Sequence, residues 1–263
     1  LSYELSEWLN LGVRWFHVFA AIMWIGQTYF FTWLDRRFHD EKRVWMVHSG
    51  GFYIVDKQKA PELLEGQTLH WFKWEAALTW LSGMALFALV YYAGGLMVDP
   101  SVRPMSIGTA IAISVGALIV AWIVYDFLWI SIFAKFEWAG IVLSYLMLVG
   151  AAYVYTHIYS ARAAYLQTGA MMGTLMAANV WMRILPAQRQ LIAATKAGLP
   201  ADMRLADRAK FRSKHNTFMV VPVVFIMLSS HFPVATFGSN HPWQILGGLV
   251  IAGWIAAHFI RSH

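Results

Sequence analysis

No cysteine occurs in the 263 residues. Disulfides, thiolate clusters, cysteine-held zinc and covalently attached c-type haem are therefore excluded within this stretch. Charge is scarce too. Asp, Glu, Lys and Arg make up 13% of the chain, where a soluble domain carries about 25%. A soluble fold of this length needs a polar skin, and these residues do not supply one. No cleavable signal peptide is visible, since the first apolar run is long enough to stay in a bilayer. The chain shows no internal repeat, low-complexity segment or nucleic-acid-binding motif. The net charge of +6 therefore points to basic loops beside lipid headgroups rather than to nucleic acid.

What is present is apolar and aromatic. The hydrophobic set makes up 59% of the chain and Phe, Trp and Tyr 16%, with 14 tryptophans. Rings of this kind favour membrane interfaces and also pack around flat ligands. A helix crossing a hydrocarbon core of about 30 Å needs roughly 20 mostly apolar residues. Uncharged runs of that length lie at Trp15 to Leu34, Ala76 to Val98, Ile107 to Tyr125, Trp138 to Ile158 and Ala163 to Met182. A further stretch from His215 to Ile260 holds no Asp, Glu, Lys or Arg, and Pro233, Gly238, Ser239, Asn240 and Pro242 divide it in two. The expected fold is all-α: one polytopic transmembrane helix bundle over residues 1–263, with about seven spans.

Basic residues fix the expected orientation. With seven spans, 17 Lys and Arg fall on one face and only Arg14, Arg103 and Arg162 on the other. The N-terminus is expected outside and the basic loops in the cytoplasm. Between Asp35 and Trp74, aromatic, Gly and charged residues mix, as in Gly50 to Val55. That segment is expected to fold back on the bundle as a short strand or amphipathic element. Pro186 to Lys214 reads as helix, broken at Gly198, Leu199 and Pro200.

Six of the ten histidines fall into two layers in this topology. His17, His157 and His231 lie toward outer helix ends, and His70, His215 and His258 toward inner ends. Imidazoles from two helices at one depth can clamp a b-type haem or hold copper. A single histidine near an interface is more often a hydrogen-bonding residue with access to water. As a set, the six are candidate cofactor ligands, with His17, His70, His215 and His231 the candidates for haem iron. Asp126, Glu75, Lys73, Glu137 and Arg183 are ionisable residues within or at the rims of spans, where cost argues for function. Asn179 and Arg183 stand one helical turn apart and share a face. With Gln188 just beyond, they offer donors and an acceptor suited to a planar purine such as urate. Arg183 at a cytoplasmic helix end is equally a topology anchor. Gly169 and Gly173, like Gly26 and Gly83, are expected to let helices approach closely.

Four runs carry a resemblance: Trp15 to Gly26 (Trp-Phe-His-Val-Phe-Ala-Ala-Ile-Met-Trp-Ile-Gly), Leu69 to Glu75, Ala178 to Gln190, and Arg212 to Asn216. They are similar to the membrane domain of PuuD-type bacterial urate hydroxylases, over nearly the whole chain. The resemblance implies oxidation of urate to 5-hydroxyisourate in a bacterial cytoplasmic membrane. Electrons would pass to a cytochrome c, fused or separate. Since a fused cytochrome needs Cys-x-x-Cys-His, the resemblance implies an eighth span and a cytochrome c domain beyond His263. Within this reading Lys73, Glu75 or His70 acts as base, while Arg183 and Gln188, beside Asn179, hold the urate anion. The first helix also resembles, more loosely, HemJ-type and CopD-like membrane proteins, whose associations are haem b and copper. These raise His17 as a cofactor ligand. Two other readings stay open: a non-catalytic b-haem electron-relay subunit, and a copper or metabolite transporter using soft ligands such as Met171 and Met172. Membrane lipid is an expected partner, nucleic acid is not, and a homo-oligomer is left open.

Overall fold

A computed structural model describes residues 2–58 and 68–262. Lys59, counted above among the basic loop residues, lies outside the described residues, as does His263. The chain is 76% helix and 5% strand. Helix α1 (Tyr3–Asp40) is followed by a hairpin of β1 (Arg43–His48) and β2 (Gly51–Asp56). Then come α2 (Trp74–Phe87), α3 (Ile107–Ile130), α4 (Glu137–Thr156), α5 (Ala161–Ala178), α6 (Leu185–Lys196), α7 (Met203–Leu228) and α8 (Pro242–Ser262). Five of them are long and apolar enough to cross a membrane: α1, α2 with its π-helical extension to Ala93, α3, α4 and α8.

Helix α5 falls outside that measure because it is the middle of the bundle. Eleven of its 18 residues are buried, Gln167 and Thr168 among them. Surrounded by protein, it has no need of an all-apolar surface. Gln167 is satisfied across the bundle, accepting from Ser114 Oγ at 2.6 Å and donating to the Ser114 carbonyl at 3.1 Å. Gly169 permits the close approach of α7, since a Cβ there would stand 2.8 Å from Ile226 Cγ2. Gly83 serves α1 in the same way, by seating the His17 ring. Gly26 and Gly173 meet nothing within 4 Å, so close packing is not their role. In α7 the charged half precedes the apolar half, and Pro222 sits where Gly253 of α8 leaves room for its ring.

The outer faces of the bundle are strongly apolar. Trp8, Trp15, Phe19 and Ile22 on α1, and Ile119, Ile123 and Phe127 on α3, are all exposed. Contiguous apolar surface on this scale is foreign to a water-facing monomer, and lipid contact accounts for it.

Several element boundaries differ from the apolar runs: α1 runs on to Asp40, α3 to Ile130, and α7 begins at Met203. Helix α1 begins at Tyr3 rather than near Trp15, capped by the Ser2 side chain accepting from Leu5 N–H. Its added turns hold Glu4, Glu7 and Arg14, good helix formers that an uncharged-run criterion passes over. Helix α2 with its extension ends at Ala93, because Gly94 and Gly95 stop it, the latter at φ +71°. The expected strand element is an antiparallel hairpin with Arg43 paired to Asp56 and His48 to Gly51. Its two-residue turn places Ser49 at φ 50° and Gly50 at φ 77°, the left-handed pair that matches strand twist. The Asp56 carboxylate accepts from Arg43 at 2.8 and 2.9 Å. That hydrogen-bonded pairing lowers the Asp56 pKa below its ordinary value.

Candidate functional site

Helices α5 and α6 form one continuous rod joined by a π-turn at Asn179–Ile184. The physical reason is Pro186, which lacks an N–H and crowds the carbonyl four residues earlier. The chain widens by one residue, and Leu185 N–H bonds the carbonyl of Val180, five back. Such turns recur at functional sites because they re-aim side chains. This one sends Asn179 and Arg183 toward α3 and α7, and Val180 and Trp181 toward α1 and α2.

On the α3–α7 side lies a buried polar knot. Arg212 Nη2 donates to Asp126 Oδ1 at 2.8 Å, and Arg183 Nε donates to the same oxygen at 2.8 Å. Arg183 Nη2 also reaches Asp126 Oδ2. One carboxylate thus faces two guanidinium groups, of which Arg212 is buried and Arg183 half-exposed. Asn179 Nδ2 donates to Tyr125 Oη and to Asn216 Oδ1, each at 2.9 Å. Tyr125 Oη stands 2.7 Å from His215 Nδ1.

On the α1–α2 side is an aromatic cradle. Trp24, Trp71 and Trp181 pack around Ala76, Val180 and Leu185. Trp74 meets Trp181 edge to face at 5.9 Å. Lys73 Nζ stands over two indoles, 5.6 Å from the Trp71 ring centre and 5.5 Å from that of Trp74. Two buried atoms lack a hydrogen-bond partner: Trp181 Nε1–H, a donor of the cradle, and Oε2 of Glu75, an acceptor on the residue between Trp74 and Ala76. An unmatched acceptor, an unmatched donor and a cation among flat rings match the recognition elements of a planar, anionic heterocycle.

Of the residues singled out in the sequence, Lys73 therefore belongs to the cradle, Glu75 follows Trp74 at its edge in the chain, and Asn179 and Arg183 belong to the knot behind it. Gln188 is exposed on α6, and His70 is exposed just before α2. Arg183 engages Asp126 through two donors. Sequence reasoning assigned no role to Tyr125, Arg212 and Asn216, or to Trp181 as a cradle wall. The signal for Arg212 and Asn216 was their place beside His215 in one short motif.

The histidines differ in what they offer a metal. His17 Nδ1 lies 3.0 Å from the Thr79 carbonyl, an acceptor only, so the hydrogen-bond network assigns the proton to Nδ1 and leaves a lone pair on Nε2. His157 Nδ1 lies 2.7 Å from the Tyr153 carbonyl of its own helix and is exposed, as are His231 and His258. His215 Nδ1 shares a proton with Tyr125 Oη, and the direction of that bond decides whether Nε2 is a donor or keeps a lone pair. His17 and His215 thus each have one ring nitrogen held by the protein and a second left for a ligand, the arrangement an axial haem ligand requires. For copper, no group of three or more His, Asp or Glu converges among the described residues.

A cavity of about 820 Å³ opens among α3, α4, α5, α7 and α8, with Tyr125 and His215 in its wall. Comparison with known proteins places the whole chain: the family model described as urate oxidase N-terminal matches residues 3–263. No curated protein and no solved structure matches.

Proposed function

The chain belongs to the urate oxidase N-terminal family, and on that premise we propose that it is a membrane-bound urate hydroxylase. Urate is converted to 5-hydroxyisourate: water supplies the oxygen that bonds to C5, while two protons and two electrons leave. The electrons pass to a cytochrome c, fused or separate, and a b-type haem, where one binds, takes His17. The fold is read as seven spans, α5 with its π-turn and α7 joining the five apolar helices. The N-terminus is outside and the basic loops lie on the cytoplasmic face of a bacterial inner membrane.

The observation that carries this reading is the cradle. Urate is flat, anionic and rich in both donors and acceptors. Indole faces stack on such a ring, Lys73 balances its charge, and Trp181 Nε1–H is an unused donor. Glu75 Oε2, buried and unpartnered, is the base that takes a ring proton. Arg183 and Asn179 act from behind, holding the π-turn that presents Trp181.

Titrating the purified protein with urate and following tryptophan fluorescence tests the site. Saturable quenching is expected, and Lys73→Met should weaken it about tenfold, the loss of one charge-assisted contact. Absence of saturable quenching, or an unchanged midpoint in Lys73→Met, would remove the cradle from the proposal.

A further inference from the structure

The cavity among α3, α4, α5, α7 and α8 is layered. At one end, read as its mouth, stand Glu137, Lys214, His258 and Arg261. Lys214 is engaged by Glu137, while Arg261 rests over the Phe218 ring at 5.7 Å rather than on a carboxylate. The mouth therefore sets Lys214 and Arg261 against Glu137, with Asp35, itself paired to Lys57, also acting on Arg261. Trp254 lies seven residues before Arg261 and Ser144 seven after Glu137, which places both about 10 Å deeper. Beyond them the wall is formed by Ala117, Ala121, Met147, Ala151 and Met171.

Four buried polar atoms without a partner belong to residues of this wall: Trp129 Nε1, Ser144 Oγ, His215 Nε2 and Trp254 Nε1. Both indole nitrogens are donors only, the serine hydroxyl has a proton to give, and His215 Nε2 is a donor in the tautomer whose Nδ1 accepts from Tyr125 Oη. A buried donor left unmatched is costly, so the unmatched donors around this chamber call for an occupant with several acceptor oxygens. The occupant must be anionic at the mouth, oxygen-bearing about two turns in, and apolar beyond.

We propose that this cavity binds one molecule of an anionic glycerophospholipid. Its phosphate lies at Arg261, at the level of Trp129 and His215 beside Lys214, its ester carbonyls accept from Ser144 Oγ and Trp254 Nε1, and an acyl chain fills the apolar end. The order phosphate, ester, hydrocarbon is the order of the wall from mouth to end. The site also touches the rest of the machinery. His215 holds Tyr125, which holds Asn179 of the π-turn, so a filled cavity steadies the turn that carries Trp181. The proposal stands apart from the urate reading, because lipid binding is read without turnover.

The test is thermal unfolding of the detergent-purified full chain with added dioleoyl phosphatidylglycerol, dioleoyl phosphatidylcholine or decylubiquinone. Phosphatidylglycerol is expected to raise the apparent Tm and to saturate at one lipid per chain, by mass action on the folded state. Phosphatidylcholine should need about tenfold more, and Arg261→Gln should erase that difference. Ser144→Ala and Trp254→Phe each delete one donor with little change of shape and should weaken phosphatidylglycerol about three- to tenfold. No saturable rise with phosphatidylglycerol would overturn the proposal. So would stabilisation by decylubiquinone at lower concentration, which would assign the cavity to a redox lipid, or unchanged midpoints in both donor-deletion variants. None of these failures bears on urate binding at the cradle.

Discussion

Glu75→Gln is expected to lower the rate of urate-dependent electron transfer about a hundredfold or more, the usual contribution of a positioned general base. Glutamine keeps the size of the side chain and one oxygen, and removes the ability to take a proton. The effect should fall on kcat, because stacking on Trp71, Trp74 and Trp181 and the charge of Lys73 are left in place. Lys73→Met, by contrast, should act through KM. Reduction of ferricyanide by urate in detergent separates the two, and fluorescence quenching confirms that the Gln variant still binds. A Gln variant turning over within about twofold of the parent would exclude Glu75 as base.

Asp126→Asn is expected to destabilise the fold by roughly 3–5 kcal/mol, the usual cost of breaking a buried ion pair by removing one partner. Arg212 is the reason: its side chain is 5% exposed, and Asp126 is its only ion-pair partner among the described residues. Arg183, 42% exposed, contributes little, since water can take over its solvation. The expected readout is a large fall in apparent Tm, or loss of the monodisperse peak on gel filtration in detergent. A double variant, Asp126→Leu with Arg212→Met, should recover most of the loss, because no buried charge is left unmatched. An unchanged Tm in Asp126→Asn would mean that the knot contributes nothing to stability. Failure of the double variant to recover would assign the loss to packing.

The apolar helices were legible in the sequence because lipid contact writes itself in composition: α3 and α4 differ from their uncharged runs by only a few residues. Helices α5 and α7 were legible only as parts of the count, since protein contact lets them carry Gln167, Arg212 and Asn216. The shared face of Asn179 and Arg183 was readable from their spacing, and both reach the same knot. Their partners were not. Asp126 is 57 residues from Arg183 and 86 from Arg212, and no local pattern encodes such a pairing. Tyr125 was hidden for another reason. A tyrosine near a helix end reads as an interface anchor, and its role depends on Asn179 and His215 arriving from two other helices. The histidine layers illustrate the same limit, because depth can be counted along a helix, whereas the tautomer of His17 or His215 is set by what lies opposite.

The account turns on urate as the source of electrons, and anaerobic turnover of the purified chain with urate and ferricyanide tests this most directly. Two ferricyanide ions should be reduced for each urate consumed, with 5-hydroxyisourate appearing and its new oxygen drawn from isotopically labelled water. Urate that binds without reducing ferricyanide, or a product whose added oxygen comes from another source, would contradict the account.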